Sequence, residues 1–186
     1  MKSGVYFKKE NYASIYKRFF AIFIDSCVLL FMAYLLSGIF SYFTDISELG
    51  EVIDCYGFLA VGVFYPHYFT ICIVLFFLYL AVLKPTEIKT LGFRIAKIKI
   101  VNLNGEKPSV FQMIIRYILL IFGPFNFIID LFWLTSDQDR QTLRDKFAAT
   151  YVINENITPE GSGEITFNRY YLLGLSLLFK EVKRGE

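Results

Sequence analysis

Histidine is almost missing from this chain: His67 is the only one in 186 residues. Cysteine is scarce and odd in number, and Cys27 and Cys72 lie within apolar runs where a small hydrophobe is the ordinary reading, so a disulfide framework is excluded. No two cysteines have metal-ligand spacing, and the sequence holds no GxxxxGK[ST], GxSxG or GxGxxG. Metal, nucleotide and triad-type hydrolase chemistry therefore lack their usual supports, and neither a cofactor nor an enzymatic activity is expected. Charge is sparse as well: 19% of residues are charged, and 19 Lys plus Arg against 17 Asp plus Glu leave only +2, which gives no pull toward nucleic acid. What is abundant is apolar surface. With 55% hydrophobic residues, 19% aromatic residues and a mean hydropathy of +0.48, the composition is that of a membrane protein.

Residues 19–43 (FFAIFIDSCVLLFMAYLLSGIFSYF) carry Asp25 as their only charge and exceed the roughly 20 residues needed to cross a bilayer. A cleaved secretory signal is the weaker reading, because the run is too long and no A-x-A site follows. A second run, 66–83, has no charged residue and stops at Lys84-Pro85. Between the two, residues 44–65 hold Asp45, Glu48, Glu51 and Asp54 without a single Lys or Arg, whereas 1–18 hold five basic residues and 84–109 hold six. The positive-inside rule then puts the N-terminus and the 84–109 segment in the cytoplasm of a multi-pass inner-membrane protein.

Residues 94–101 (RIAKIKIV) alternate charged and apolar side chains before an Asn104-Gly105 turn, and predict a short strand. Its unpaired backbone requires a partner, for which the β-prone 150–153 (TYVI) is the cytoplasmic candidate. The third apolar stretch, 110–134, is broken at Gly123-Pro124 into pieces too short to span separately. One kinked span or a re-entrant hairpin would accommodate it. The hairpin is favoured because Arg116 and Asp130, each seven residues from Gly123, would reach similar depth and pair, whereas a continuous helix sets them about 21 Å apart. Beyond Asn154 a polar stretch precedes 170–179 (YYLLGLSLLF), too short to span and read as an interfacial helix. The expected fold is thus an all-α membrane protein of two transmembrane helices plus a re-entrant helical hairpin and a small cytoplasmic β element. Residues 1–153 form the membrane domain, and 154–186 a linker and amphipathic C-terminal helix.

Asp25 is the residue that composition forbids. A charge near the bilayer centre costs on the order of 3 kcal/mol, so it needs a partner or a proton. Arg18 lies on the same helical face but about 10 Å nearer the cytoplasm, which leaves Arg116 as the expected contact.

The residues 16–25 (YKRFFAIFID) resemble the R-x-x-A-x-x-x-D opening of the RDD family of bacterial membrane proteins. The likeness continues through 90–105, similar to that family's T-L-G-x-R element with its strand and turn. It extends through Arg116, at the later helix arginine, to 139–150 (DRQTLRDKFAAT), which resembles the closing L-x-D-x-x-A-G-T. By position, the family arginine is Arg18, its first aspartate Asp25 and its second Asp145. Phe93 stands where a basic residue is common, Arg144 where histidine or glycine is, and Ala149 replaces the glycine of A-G-T. The resemblance implies an inner-membrane location, and for some members cation/proton exchange.

Arg18, Asp25, Arg116, Asp130 and Asp145 are accordingly the expected ion-binding or buried polar network. Two functions fit it. Buried carboxylates exchanging a monovalent cation for a proton would need a homo-oligomer to line a pathway. A non-catalytic adaptor would instead present its basic cytoplasmic face to a protein partner or anionic lipid.

Overall fold

The computed structural model of the chain describes residues 3–43, 66–118, 129–130, 133–135, 137, 139–172 and 175–184. The first apolar run folds as one helix, α1 (Ile15–Phe43), whose 29 residues extend about 44 Å. Its stretch Ile15–Ile39 is the one described helix long and apolar enough to cross a membrane. Tyr16, Phe20, Phe23, Leu30, Phe31 and Tyr34 are each more than half exposed along it. So large an apolar surface is unfavourable against water and compatible with lipid. The second helix, α2 (Pro66–Phe77), widens into π-helical turns over Leu78–Leu83. Its apolar length, His67–Leu83, falls short of the ~20 residues of a span, so the described helices do not show a multi-pass topology. Tyr68 on α2 donates to the carbonyl of Ala33 on α1 at 2.8 Å, within a small cluster with Cys72.

Five short elements follow: α3 (Leu91–Ile95), β2 (Ile98–Asn102), α4 (Val110–Ile118), α5 (Leu143–Ala148) and β3 (Thr150–Asn154), with β1 (Ser3–Tyr6) preceding α1. Strands β2 and β3 pair antiparallel, Ile100 opposite Val152, as their unpaired backbone groups required. The ribbon is packed on both sides. Ile98, Ile100 and Val152 join Phe93, Ala96 and Met113 in one core, while Val101, Tyr151 and Ile153 join Phe7, Tyr12 and Val182 in the other. Alternate side chains of a strand point to opposite faces, and two covered faces explain why β3 is apolar at three consecutive positions. The Asn104-Gly105 turn closes as anticipated: Asn102 Oδ1 accepts the backbone N–H of Asn104 and of Glu106, each at 2.9 Å, and Gly105 takes φ +82°.

The all-α expectation is overturned. The chain is a mixed α/β protein in which, among the described residues, five strands form two antiparallel sheets. The larger sheet has the order β1-β4-β5, with β4 (Gly161–Leu172) and β5 (Leu175–Lys183) forming a hairpin from the C-terminal region expected to be an interfacial helix. Length excluded a span for 170–179, but a run of ten apolar residues does not distinguish helix from strand. β1 then pairs with β4, so the two ends of the chain share a sheet. Trp133, Tyr170 and Phe179 stack edge-on or tilted beside it, and Lys146 on α5 pairs with Asp137 at 2.6 Å and with Glu181 of β5. Gly123-Pro124, on which the re-entrant hairpin rested, lies outside the described residues.

Candidate functional site

Asp25 is buried, 2% exposed, on the face of α1 that meets α3. Its carboxylate is satisfied entirely by this chain. Thr90 Oγ1 donates to Oδ2 at 2.9 Å, the Gly92 N–H to Oδ1 at 2.9 Å and the Tyr79 hydroxyl to Oδ1 at 3.1 Å, while the Lys84 ammonium stands 3.3 Å from Oδ2. Gly92 is required sterically: a Cβ built there would lie 2.1 Å from the Ala21 carbonyl oxygen and 2.8 Å from Asp25 Oδ1. Thr90, in extended backbone just before α3, reaches the same carboxylate. T-L-G is therefore a cradle for Asp25. Lys84 also rests 4.2 Å from the centre of the Phe93 ring, so an aromatic face receives a cation at the position where the family commonly has a basic residue. Burial pushes the Lys84 ammonium down to about 8 against the opposing pull of Asp25.

Asp145 is fully buried at the start of α5. It forms a reciprocal cap with Thr142: the Asp145 N–H donates to Thr142 Oγ1 and the Thr142 N–H to Asp145 Oδ2, each at 3.2 Å. Arg18 donates to Oδ2 from Nη1 at 2.6 Å, and its Nη2 donates to the Arg140 carbonyl at 2.7 Å. Arg116 Nη1 lies 2.7 Å from Oδ1 but is not aligned on it, so that contact is an ion pair rather than a directed hydrogen bond; the same nitrogen donates to Thr150 Oγ1 at 2.9 Å. Burial alone would raise the Asp145 carboxyl, but the charges of Arg116 and Arg18 outweigh it and hold the group below its ordinary value.

The five residues expected from the sequence thus fall into three separate groups holding four ion pairs, with Arg18 and Arg116 both on Asp145. Asp25 takes Lys84 instead of Arg116, Arg116 takes Asp145 instead of Asp130, and Asp130 pairs with the side chain of Arg144. The partners differ because Arg116 was matched to Asp130 by their equal distance from Gly123 and to Asp25 by setting Arg18 aside, whereas Arg116 reaches Asp145 of α5 and Asp25 takes Lys84 from beyond α2. Lys84, Tyr79, Thr90 and Gly92 were missed; Lys84 resembled an ordinary helix-stop flank, and only the T-L-G likeness singled out the last two. Among the described residues no three His, Cys, Asp or Glu side chains converge as metal ligands.

Fold and site together define a mixed α/β protein with one candidate membrane helix among the described residues, joined to a small α/β body through buried aspartates. The sequence pattern of the RDD family matches residues 12–149, from the residue before Ala13 through the end of α5 and its cap, and the chain belongs to that family. No curated protein and no solved structure matches the chain.

Proposed function

We propose that this RDD protein is a non-catalytic scaffold of the inner membrane, with α1 embedded in the bilayer and the α/β body on the cytoplasmic side organising a partner. The observation that carries the reading is the saturation of Asp25. An ionised carboxylate offers about four acceptor positions, and Thr90, Gly92, Tyr79 and Lys84 supply four donors within the chain. A carboxylate so engaged clamps α1 to α3 and has no vacancy for a transported ion. Asp145 is held by the charges of two arginines and by its own cap, although its Oδ1 accepts no directed hydrogen bond.

A double-mutant cycle tests the clamp. Asp25→Asn should lower the melting temperature strongly by leaving the Lys84 ammonium buried without its counter-ion, and Asp25→Asn with Lys84→Met should recover part of the loss. Additive effects of the two substitutions would defeat the clamp.

Cation/proton exchange is the second reading, favoured by one observation. Lys84, held down to about 8, gives up its proton near neutral pH more readily than an ordinary lysine. A monovalent cation would then take the place of the ammonium among the oxygens of Asp25, Thr90 and Tyr79. The one candidate membrane helix among the described residues encloses no pathway by itself, so this reading also requires self-association.

A further inference from the structure

Where α1 enters the α/β body the structure holds a cavity of about 80 Å³, well above the roughly 10–15 Å³ that one water molecule requires. Among the described residues its wall carries four cations, Arg18, Lys84, Arg116 and Arg144, but only one carboxylate, Asp130. Counting the partners that lie behind the wall does not balance it. Asp145 is shared by Arg18 and Arg116, Asp25 serves Lys84 and Asp130 serves Arg144, so among the described residues four cations face three carboxylates and one positive charge is left over. A partly buried excess charge favours a counter-ion, and guanidinium groups are suited to planar or tetrahedral oxyanions.

The rim has a different chemistry. Ile15, Phe19 and Ile22 recur every three or four residues along α1 and line the cavity beside Arg18, and Phe19 and Ile22 are each 37% exposed. Beyond them α1 continues as the exposed apolar surface of Phe23, Leu30 and Phe31. A basic recess therefore opens at the end of a lipid-compatible surface, which is the arrangement of a phospholipid: phosphate at one end, acyl chains along the other.

We propose that this cavity binds the phosphate diester of an anionic phospholipid, with its acyl chains lying along the Phe19 and Ile22 side of α1. The excess positive charge selects an anionic over a zwitterionic lipid, whose own cation would bring no net charge to the recess. The proposal rests on α1 being embedded in a bilayer, as in the scaffold reading, and does not depend on whether ions are transported.

The test uses the full chain, purified in detergent and delipidated, titrated with short-chain phosphatidylglycerol, short-chain phosphatidylcholine or inorganic phosphate and followed by native mass spectrometry and melting temperature. Wild type should bind phosphatidylglycerol about tenfold more tightly than phosphatidylcholine. Arg116→Gln leaves Arg18 on Asp145 while removing the excess charge, and should bring the two lipids within about twofold; Arg116→Lys keeps the charge and should keep the preference. Equal binding of both lipids by wild type would overturn the proposal whatever the variants do. Stabilisation by inorganic phosphate equal to that by phosphatidylglycerol would show a free oxyanion site and overturn the lipid assignment. Either failure leaves the Asp25 clamp standing, whereas additive Asp25 and Lys84 substitutions would defeat the clamp while the wild-type preference for phosphatidylglycerol is still read directly.

Discussion

Arg18 and Asp145 are separated by 127 positions in the chain, yet Nη1 of the first lies 2.6 Å from Oδ2 of the second. The pair fixes the entry of α1 to the first turn of α5, and Arg116 closes it from α4. Helix α1 is thereby held at two levels. Arg18 holds it at its first turn, and Asp25, two turns further along, holds it through α3.

The two arginines on Asp145 predict an order of stability losses. Asp145→Asn leaves two buried guanidinium groups without their carboxylate and should cost about 3–5 kcal/mol, as when one partner of a buried pair is removed. Arg116→Gln leaves Arg18 in place and should cost clearly less. Because the Asp145 carboxyl is held below its ordinary 3.8, its contribution is complete above that pH and is lost as pH falls through the lower folded value. Equilibrium unfolding of the detergent-solubilised chain checks both; equal losses from the two substitutions would contradict the arrangement.

Ala149 ends α5 with φ +52° and ψ +54°, a left-handed conformation that costs an L-residue energy and glycine little. Ala149→Gly should therefore raise stability by up to about 1 kcal/mol, partly offset by the greater freedom of glycine in the unfolded chain. A lowered melting temperature would mean that the Ala149 methyl contributes more by packing than its backbone costs.

At Gly92 the opposite substitution should fail. Gly92→Ala drives a Cβ to within 2.1 Å of the Ala21 carbonyl oxygen, a backbone atom that moves only with α1. The loss should be about 2 kcal/mol or more, since relief requires separating α3 from α1 and lengthening the bond to Asp25. A Gly92→Ala chain that melts like wild type would show that this contact is loose.

Lys84 gives the alkaline counterpart. Its folded value of about 8 lies below the ordinary 10.5, so between the two the unfolded chain keeps a proton that the folded chain has released. Stability conferred through this group should accordingly rise with pH from about 8 toward 10, by at most about 1.4 kcal/mol per pH unit. The rise should vanish in Lys84→Met, measured by unfolding at several pH values; a Lys84→Met chain with the same alkaline slope would remove Lys84 as its source.

Some of this was readable from residues alone. Asp25 announced itself as a lone charge in an apolar helix, and the β2–β3 ribbon followed from two short strands that each needed a partner. The Asp25 cradle was half visible in T-L-G, where the glycine is needed for close approach to α1. Its cation was not, because Lys84 is 59 positions away and reads as a routine helix end. The C-terminal hairpin escaped for another reason. On β4, Asn168 and Tyr170 share the face that carries Glu181 while the exposed Phe167 and Tyr171 lie on the other, so the strand period is hidden by aromatic side chains on both faces. Composition still identified the apolar surface of α1, since hydropathy over 25 residues does not depend on tertiary partners.

Whether the buried aspartates hold the fold or move ions is decided most directly in proteoliposomes carrying an internal pH dye and pulsed in turn with Na⁺, K⁺ and Li⁺. The scaffold account predicts no cation-dependent pH change with wild-type protein, and the same silent trace with Asp25→Asn. A cation-dependent proton flux from wild type that disappears in Asp25→Asn would contradict it and establish the carboxylate as part of an exchange site.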